Sequence, residues 1–497
     1  MSLTSLAFAA FALGVLGAAR VSGRRLRWVV LLAASYAFYA AWGPILPAIL
    51  AAVTLASYGA ARVLDRESGP SPRRRVAMWA GVSSAVGALL VLKYGGLLAT
   101  MAEGAAAALA GRDAHTTFSP FVHVGVSYWA LQAISYVVDV SLGVVPAERH
   151  LGRYALYLAF FPKLVQGPIE RAGRFLPQVE EPGPLRAADL LAALPLVVWG
   201  AFQKLVVADR LAPFVDSVFG DPDRYGGLSV LVATYLFAGQ LYFDFAGYTC
   251  IAIGAGRALG IRLSPNFDAP YAAASVSEFW RRWHMSFSSW ILDYVFRPVQ
   301  LGLRRWRTLG TSVALLVTFG FSGLWHGATW GFVAWGLLHG VYLSASVLLA
   351  GPRRRVRDAL GIAGSRLYRP LRVLLTFHLV CLAWVFFRAP TLGEALALLA
   401  RATTGLPASL VALARGGARH VICLDQEPDR LFLALALVGA AAVLPRLLPE
   451  LRPAAGGGAE PTATGRAAWG RAVAYSVLLY LVAFLGGSTQ AFIYARF

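Results

Sequence analysis

Residues 1–19 carry no charge, and from Trp28 to Ala61 another 34 residues pass without one. At roughly 1.5 Å per residue the second stretch would run about 50 Å as a helix, against a hydrocarbon core of ~30 Å. Gly43-Pro44 and Pro47 interrupt it, so it is expected to fold as a hairpin of two membrane spans. Arg20, Arg24, Arg25 and Arg27 follow the first apolar stretch, the reverse of signal-peptide order, and residues 1–19 are expected to remain as a first helix. Further spans are expected at 76–98, 151–166, 187–207, 371–388, 430–448 and 472–490. Two spans or long tilted segments are expected in 225–256, a hairpin in 308–352, and a broken or re-entrant segment in 118–145. The pattern predicts an all-α polytopic membrane protein of about ten to twelve membrane helices.

The longest charge-free stretch runs 45 residues, from Thr308 to Pro352. As helix it would reach about 67 Å, twice the core thickness, so it turns back within the membrane. Its interior carries Gly320, Gly323, Gly327 and Gly331, with His326 at the expected break. An imidazole at membrane depth is expensive unless it faces a cavity or a partner, which makes His326 the first candidate for chemistry. Desolvation favours its neutral, proton-accepting form. His339 and His378 lie in uninterrupted helical sequence, where packing is the expected role.

Composition agrees with the pattern. The 497 residues are 58% hydrophobic and 14% charged, and mean hydropathy is +0.61. A soluble surface needs nearer ~25% charged residues. The formal charge of +20 resides in 45 basic residues, of which only Lys93, Lys163 and Lys204 are lysines. The arginines gather in short runs between apolar stretches, which reads as topology rather than nucleic-acid binding. The runs Arg20–Arg27, Arg62–Arg75, Arg353–Arg372 and Arg446–Arg471 are expected to be cytoplasmic, both termini and Ala389–Asp429 to lie outside the cytoplasm, and 453–465 to form a flexible linker. Cys250, Cys381 and Cys423 are too few and too scattered for a disulfide framework or a metal site. No second folded domain is expected.

From Glu278 to Tyr294 the spacing predicts one amphipathic helix. Trp280, Trp283, Phe287, Trp290, Ile291 and Tyr294 fall on one face, and Arg282, Ser286, Ser289 and Asp293 on the other. His284 falls at the edge of the aromatic stripe. Such a stripe is more often an interfacial helix than a catalytic wall, but a second histidine 42 positions before His326 suggests a pair that binds and deprotonates a hydroxyl. Asp244 is the one charge in Tyr225–Gly256 and needs a partner, for which Arg281 and Arg282 are candidates. There is no P-loop, no G-x-S-x-G elbow and no H-E-x-x-H, so ATP-driven transport, serine hydrolysis and zinc proteolysis lack support.

Several long motifs occur together: FFPKLVQGPIER (160–171), YFDFAGY (242–248), RLSPNFDAPYAAASVSEFWRRWHMSFSSWILDYVFRP (262–298), GLWHGATWGFVAWGLLHG (323–340), WVFFRA (384–389) and FIYARF (492–497). In these the chain resembles the membrane-bound O-acyltransferases, in particular the bacterial branch that includes the alginate O-acetylation acyltransferase. The resemblance implies one transmembrane domain over 1–497, its motifs concentrated in about 120–390, with helices around a central tunnel. It implies His326 as the central histidine and His284 as the second functional position. Trp325, Trp283, Trp280, Asp244, Asn266, Arg281, Arg282 and Asp293 follow as substrate or tunnel candidates. It implies an acyl-CoA, such as acetyl-CoA, or another acyl thioester as donor substrate, with no bound cofactor and no metal. The implied partners are membrane lipid, an extracytoplasmic SGNH-type esterase-fold protein and polysaccharide machinery. The implied location is the bacterial cytoplasmic membrane. Lys163 stands where relatives often have a neutral polar residue, and the ending ARF differs from the more usual aromatic-Gln-Phe; both bear on the acceptor or partner contact. The expected activity is transfer of an acetyl group from a cytoplasmic thioester toward a hydroxyl of an extracytoplasmic polysaccharide. The alternatives are D-alanylation of teichoic acid, acylation of peptidoglycan or lipid, and a transporter that does no chemistry.

Overall fold

The computed structural model describes residues 3–67, 69–95, 101, 103, 125–362, 365–453 and 466–486, and the regular elements among them are helices. All but the first residue of the 453–465 linker lies outside this set, as do the terminal 492–497 motif and the start of the 118–145 segment. Among the described residues eight helices are long and apolar enough to cross a membrane, or nine if Leu392–Thr404 and Leu406–Ala414, bent by 56°, are one span. The shorter apolar helices Leu6–Val21 and Trp469–Leu485 bring the total into the expected range. The chain is an all-α, polytopic membrane protein.

Both charge-free stretches fold back where the sequence places the break. Gly23–Ala40 and Leu46–Arg66 flank the Gly43-Pro44 turn. Arg307–His326 and Trp330–Leu348 flank Gly327. Elsewhere the spans differ from expectation. The 225–256 region is one helix of 32 residues, Gly227–Ala258, about 48 Å long and able to cross with tilt. The 187–207 span extends through a π-helical turn, Phe202–Ala208, to Gly220. The 151–166 span is instead the 9-residue helix Leu151–Ala159 followed by the turn Phe161–Leu164. Pro162 would clash with the carbonyl four residues back if the helix continued.

The described residues form two compact units, and the helices Ala187–Ala201 and Gly227–Ala258 contribute residues to both. One unit is drawn from Met1–Val197 and Tyr248–Ser264. Its polar centre is the 160–171 motif, buried throughout Phe160–Glu170. Lys163 donates to Gln132 Oε1 and, at 2.5 Å, to the Tyr157 carbonyl, while its ammonium lies 5.1 Å from the Tyr157 ring centroid and 5.3 Å from that of Phe175. Glu170 accepts from the backbone N–H and the hydroxyl of Ser264. Lys163 is therefore an internal strut, buried and bonded within its own chain.

The other unit is drawn from Val198–Gly247, Pro265–Arg452 and the helix Arg466–Leu485. Its hairpin is packed backbone to backbone at glycines. A Cβ at Gly323 would meet the Phe332 carbonyl at 2.3 Å, and one at Gly336 the Phe319 carbonyl at 2.1 Å. Gly336→Ala is expected to destabilise the protein by ~1–3 kcal/mol, because the two helices must separate to admit a methyl group. The thermal midpoint in detergent reads this, and an unchanged midpoint would contradict the close packing.

Candidate functional site

His326 is the last residue of Arg307–His326, and the chain leaves the helix through Gly327 in extended conformation. A Cβ at Gly327 would strike the Phe332 ring at 2.4 Å, so glycine lets the chain turn tightly beside the imidazole. His326 is 6% exposed. Aromatic rings stand around it: Trp325 at 4.8 Å, Trp335 at 4.9 Å, Phe387 at 5.2 Å, Phe287 at 6.0 Å and Phe332 at 6.4 Å between centroids. The last turn of a helix leaves carbonyls without intrahelical partners, and the dipole there favours a cation. An imidazole that takes up a proton at this position is stabilised by the helix that carries it.

His284 departs from the expected single amphipathic helix. The chain breaks at Trp283 into Val276–Arg282 and Met285–Ile291, and His284 holds the left-handed conformation, φ 43° and ψ 51°. That region is uncommon for a side chain larger than glycine's, though histidine enters it more readily than most. Asn266 holds it there. The Asn266 carbonyl accepts from Met285 N–H at 2.9 Å. Its Oδ1 accepts from Ser286 N–H at 3.1 Å and Ser286 Oγ at 2.9 Å, and lies 3.1 Å from His284 Nδ1. Ser286, expected on the polar face, is buried for this reason.

The same geometry fixes the tautomer. Ser286 N–H is an obligate donor, so the Asn266 atom facing it is the oxygen, and His284 Nδ1 must donate to that oxygen. In the neutral ring Nε2 then carries the lone pair. His284 lies outside the spanning helices defined above, and burial pushes its imidazole down to about 3, which keeps it neutral at physiological pH. Phe245 stands edge-on to it at 4.8 Å and Phe287 lies at 5.1 Å. Phe287 and Trp325 are stacked at 4.2 Å, and both also contact His326, so one stacked pair links the two histidines.

The remaining candidates divide. Trp283 packs against Phe267 at 5.1 Å and Trp384 at 5.2 Å. Trp280 Nε1 donates to His339 Nδ1 at 3.2 Å, which gives His339 the packing role expected of it. His378 is exposed, with Nδ1 2.8 Å from its own helix's Leu374 carbonyl. Arg281 is exposed and donates to Ser277 Oγ, Arg282 pairs with Glu278 at 2.8 Å, and Asp293 pairs with Arg297 at 2.8 Å. Asp244 is not paired with the 281–282 arginines. Lys204 binds it at 2.5 Å and binds Asp209 at 2.7 Å. Gly247 makes that possible, since a Cβ there would meet the Gly200 carbonyl at 2.7 Å and the Lys204 amide nitrogen at 3.0 Å. The sequence signal for Lys204 was its solitude in an apolar stretch of an arginine-rich chain.

Two comparisons with known proteins bear on this arrangement. Residues 116–356 match the MBOAT, membrane-bound O-acyltransferase family. The chain is similar to the probable alginate O-acetylase AlgI of Azotobacter vinelandii, 35% identical over 388 residues, covering 76% of this chain and 73% of that one. It is similar to the probable alginate O-acetylase AlgI of Pseudomonas aeruginosa, 35% identical over 390 residues, 76% of this chain and 70% of that one. The peptidoglycan O-acetyltransferase of Helicobacter pylori is 30% identical over 399 residues, 75% of this chain and 72% of that one.

Proposed function

Because the chain belongs to the membrane-bound O-acyltransferase family and is a membrane O-acyltransferase, we propose that it moves an acetyl group from a cytoplasmic acyl thioester toward a hydroxyl of an extracytoplasmic polysaccharide. His326 is the general base. The observation that carries this reading is the position of His326: buried at the break of a membrane hairpin, ringed by aromatic side chains, at the end of a helix that favours the cation it becomes. The hydroxyl that first receives the acyl group gives its proton to His326 as its oxygen attacks the thioester carbonyl carbon. The tetrahedral intermediate collapses, the C–S bond breaks, and the imidazolium returns the proton to the leaving sulfur. The surrounding rings exclude water, which would otherwise hydrolyse the donor.

In this reading the enzyme resides in the bacterial cytoplasmic membrane. An extracytoplasmic SGNH-type partner completes the transfer, and the donor is acetyl-CoA or a related thioester. The test is purified protein in nanodiscs given acetyl-CoA labelled in the acetyl group, with acetylatable polysaccharide and partner present. Label on polysaccharide hydroxyls is the expected result. Label found only on peptidoglycan fragments, teichoic acid or lipid when these are offered in parallel would reassign the acceptor. In sealed proteoliposomes, donor recovered intact on the far side of the bilayer would make the protein a transporter.

A further inference from the structure

Thioester acyl transfer places negative charge on the former carbonyl oxygen, and some hydrogen-bond donor must meet it. His284 is an obvious candidate by position, but its Nδ1–H is already given to Asn266 Oδ1 at 3.1 Å and its Nε2 carries a lone pair. In its neutral form it has no further N–H to offer. The residue beside it does. Asn266 is fully buried, its Oδ1 is engaged by Ser286 and His284, and its Nδ2 has no hydrogen-bond partner among the described residues. Turning the amide over would set that NH₂ against Ser286 N–H, donor against donor, so the orientation is fixed. A buried amide donor with no acceptor is costly to maintain, and native proteins keep few of them.

We infer that Asn266 is a catalytic residue whose Nδ2–H donates to the acyl carbonyl oxygen and to the oxyanion it becomes. Its Oδ1 holds His284 and Ser286 in place, and those bonds in turn aim the NH₂. One side chain thus explains the left-handed turn at His284, the buried Ser286 and the unsatisfied amide. This assignment rests on the acyl-transfer reading above and names the donor that reading requires.

Asn266→Asp separates the two halves of the side chain, because a carboxylate oxygen still accepts from Ser286 and His284 but no N–H remains. With acetyl-CoA as donor it is expected to lower kcat by ~10²–10³-fold while KM for acetyl-CoA changes little. Ser286→Ala keeps the amide and loses one supporting bond, and is expected to lower kcat by no more than about fivefold. Folded Asn266→Asp protein with near wild-type kcat would overturn the assignment. So would a loss in Ser286→Ala as large as in Asn266→Asp, since the role would then be support alone. If Asn266→Asp is not recovered folded, infrared spectroscopy of His326→Ala protein with acetyl-CoA carrying ¹³C at the acetyl carbonyl decides the matter. A bound carbonyl stretch at lower wavenumber than in free acetyl-CoA is expected, and an unshifted stretch would overturn the inference. Failure of wild-type protein to transfer acetyl at all would instead count against the acyl-transfer reading itself.

Discussion

Replacing His326 with alanine is expected to lower acetyl transfer by ~10²–10⁴-fold, the contribution typical of a positioned general base. The loss belongs in kcat, because in the proposed mechanism the imidazole acts on the acceptor's proton as the bond forms. KM for the thioester should change little. His326→Gln is expected to be nearly as inactive as alanine, since an amide fills similar space and accepts a hydrogen bond but does not take up a proton. Neither substitution should unfold the protein: His326 lies at a helix end, and the close packing at Gly323 and Gly336 and the contacts of Phe387 with Trp335 and Phe332 do not involve it. Unfolding midpoints close to wild type, measured beside the rates, separate lost chemistry from lost structure. A glutamine variant with wild-type kcat would remove His326 from the role of base.

The second large effect concerns stability. Lys204 sits between Asp209 and Asp244 with its side chain 2% exposed. Lys204→Met would leave two carboxylates facing each other in a dry interior. Breaking a buried ion pair by removing one partner costs about 3–5 kcal/mol, because the other charge stays buried without that counter-ion. Lys204 binds two carboxylates at once, so Lys204→Met is expected to cost about that much and to reduce recovery of folded protein. Asp244→Asn keeps Lys204 paired with Asp209 and should cost less. The order of the two, read as thermal midpoints in detergent, is the test, and a Lys204→Met midpoint equal to wild type would contradict the pairing. The consequence reaches the site, since Asp244 shares its helix with Phe245, which stands against His284, and with Tyr242, which meets Trp283 at 6.4 Å between centroids.

Much of this was legible in the sequence because the membrane imposes a simple rule. A charge-free stretch longer than the bilayer must fold back, and the glycines around His326 mark where it does. The break at 327–329 and the hairpin follow from counting residues. What was not legible depended on pairs distant in sequence. Periodicity from Glu278 to Tyr294 reads as one helix, since nothing local announces that Asn266 will pull Ser286 inward and force a left-handed turn at His284. Asp244 needed a cation, but sequence distance does not choose one: Arg281 and Arg282 lie 37 and 38 residues after it and Lys204 lies 40 before it. Tertiary placement decided in favour of Lys204, and Gly247 supplied the close approach. The shortened 151–166 span has a local cause, Pro162, whose signal was present and was outweighed by the apolar run around it.

In the proposed function, an acyl group crosses the bilayer by means of His326. Proteoliposomes with uniform orientation, loaded inside with acetyl-labelled acetyl-CoA and given polysaccharide and partner outside, test it directly when the loaded face is the cytoplasmic one. Label in ester linkage on the outer polysaccharide is expected with wild-type protein and almost none with His326→Ala. Equal labelling with alanine at 326, or labelled acetyl-CoA appearing intact outside, would contradict it.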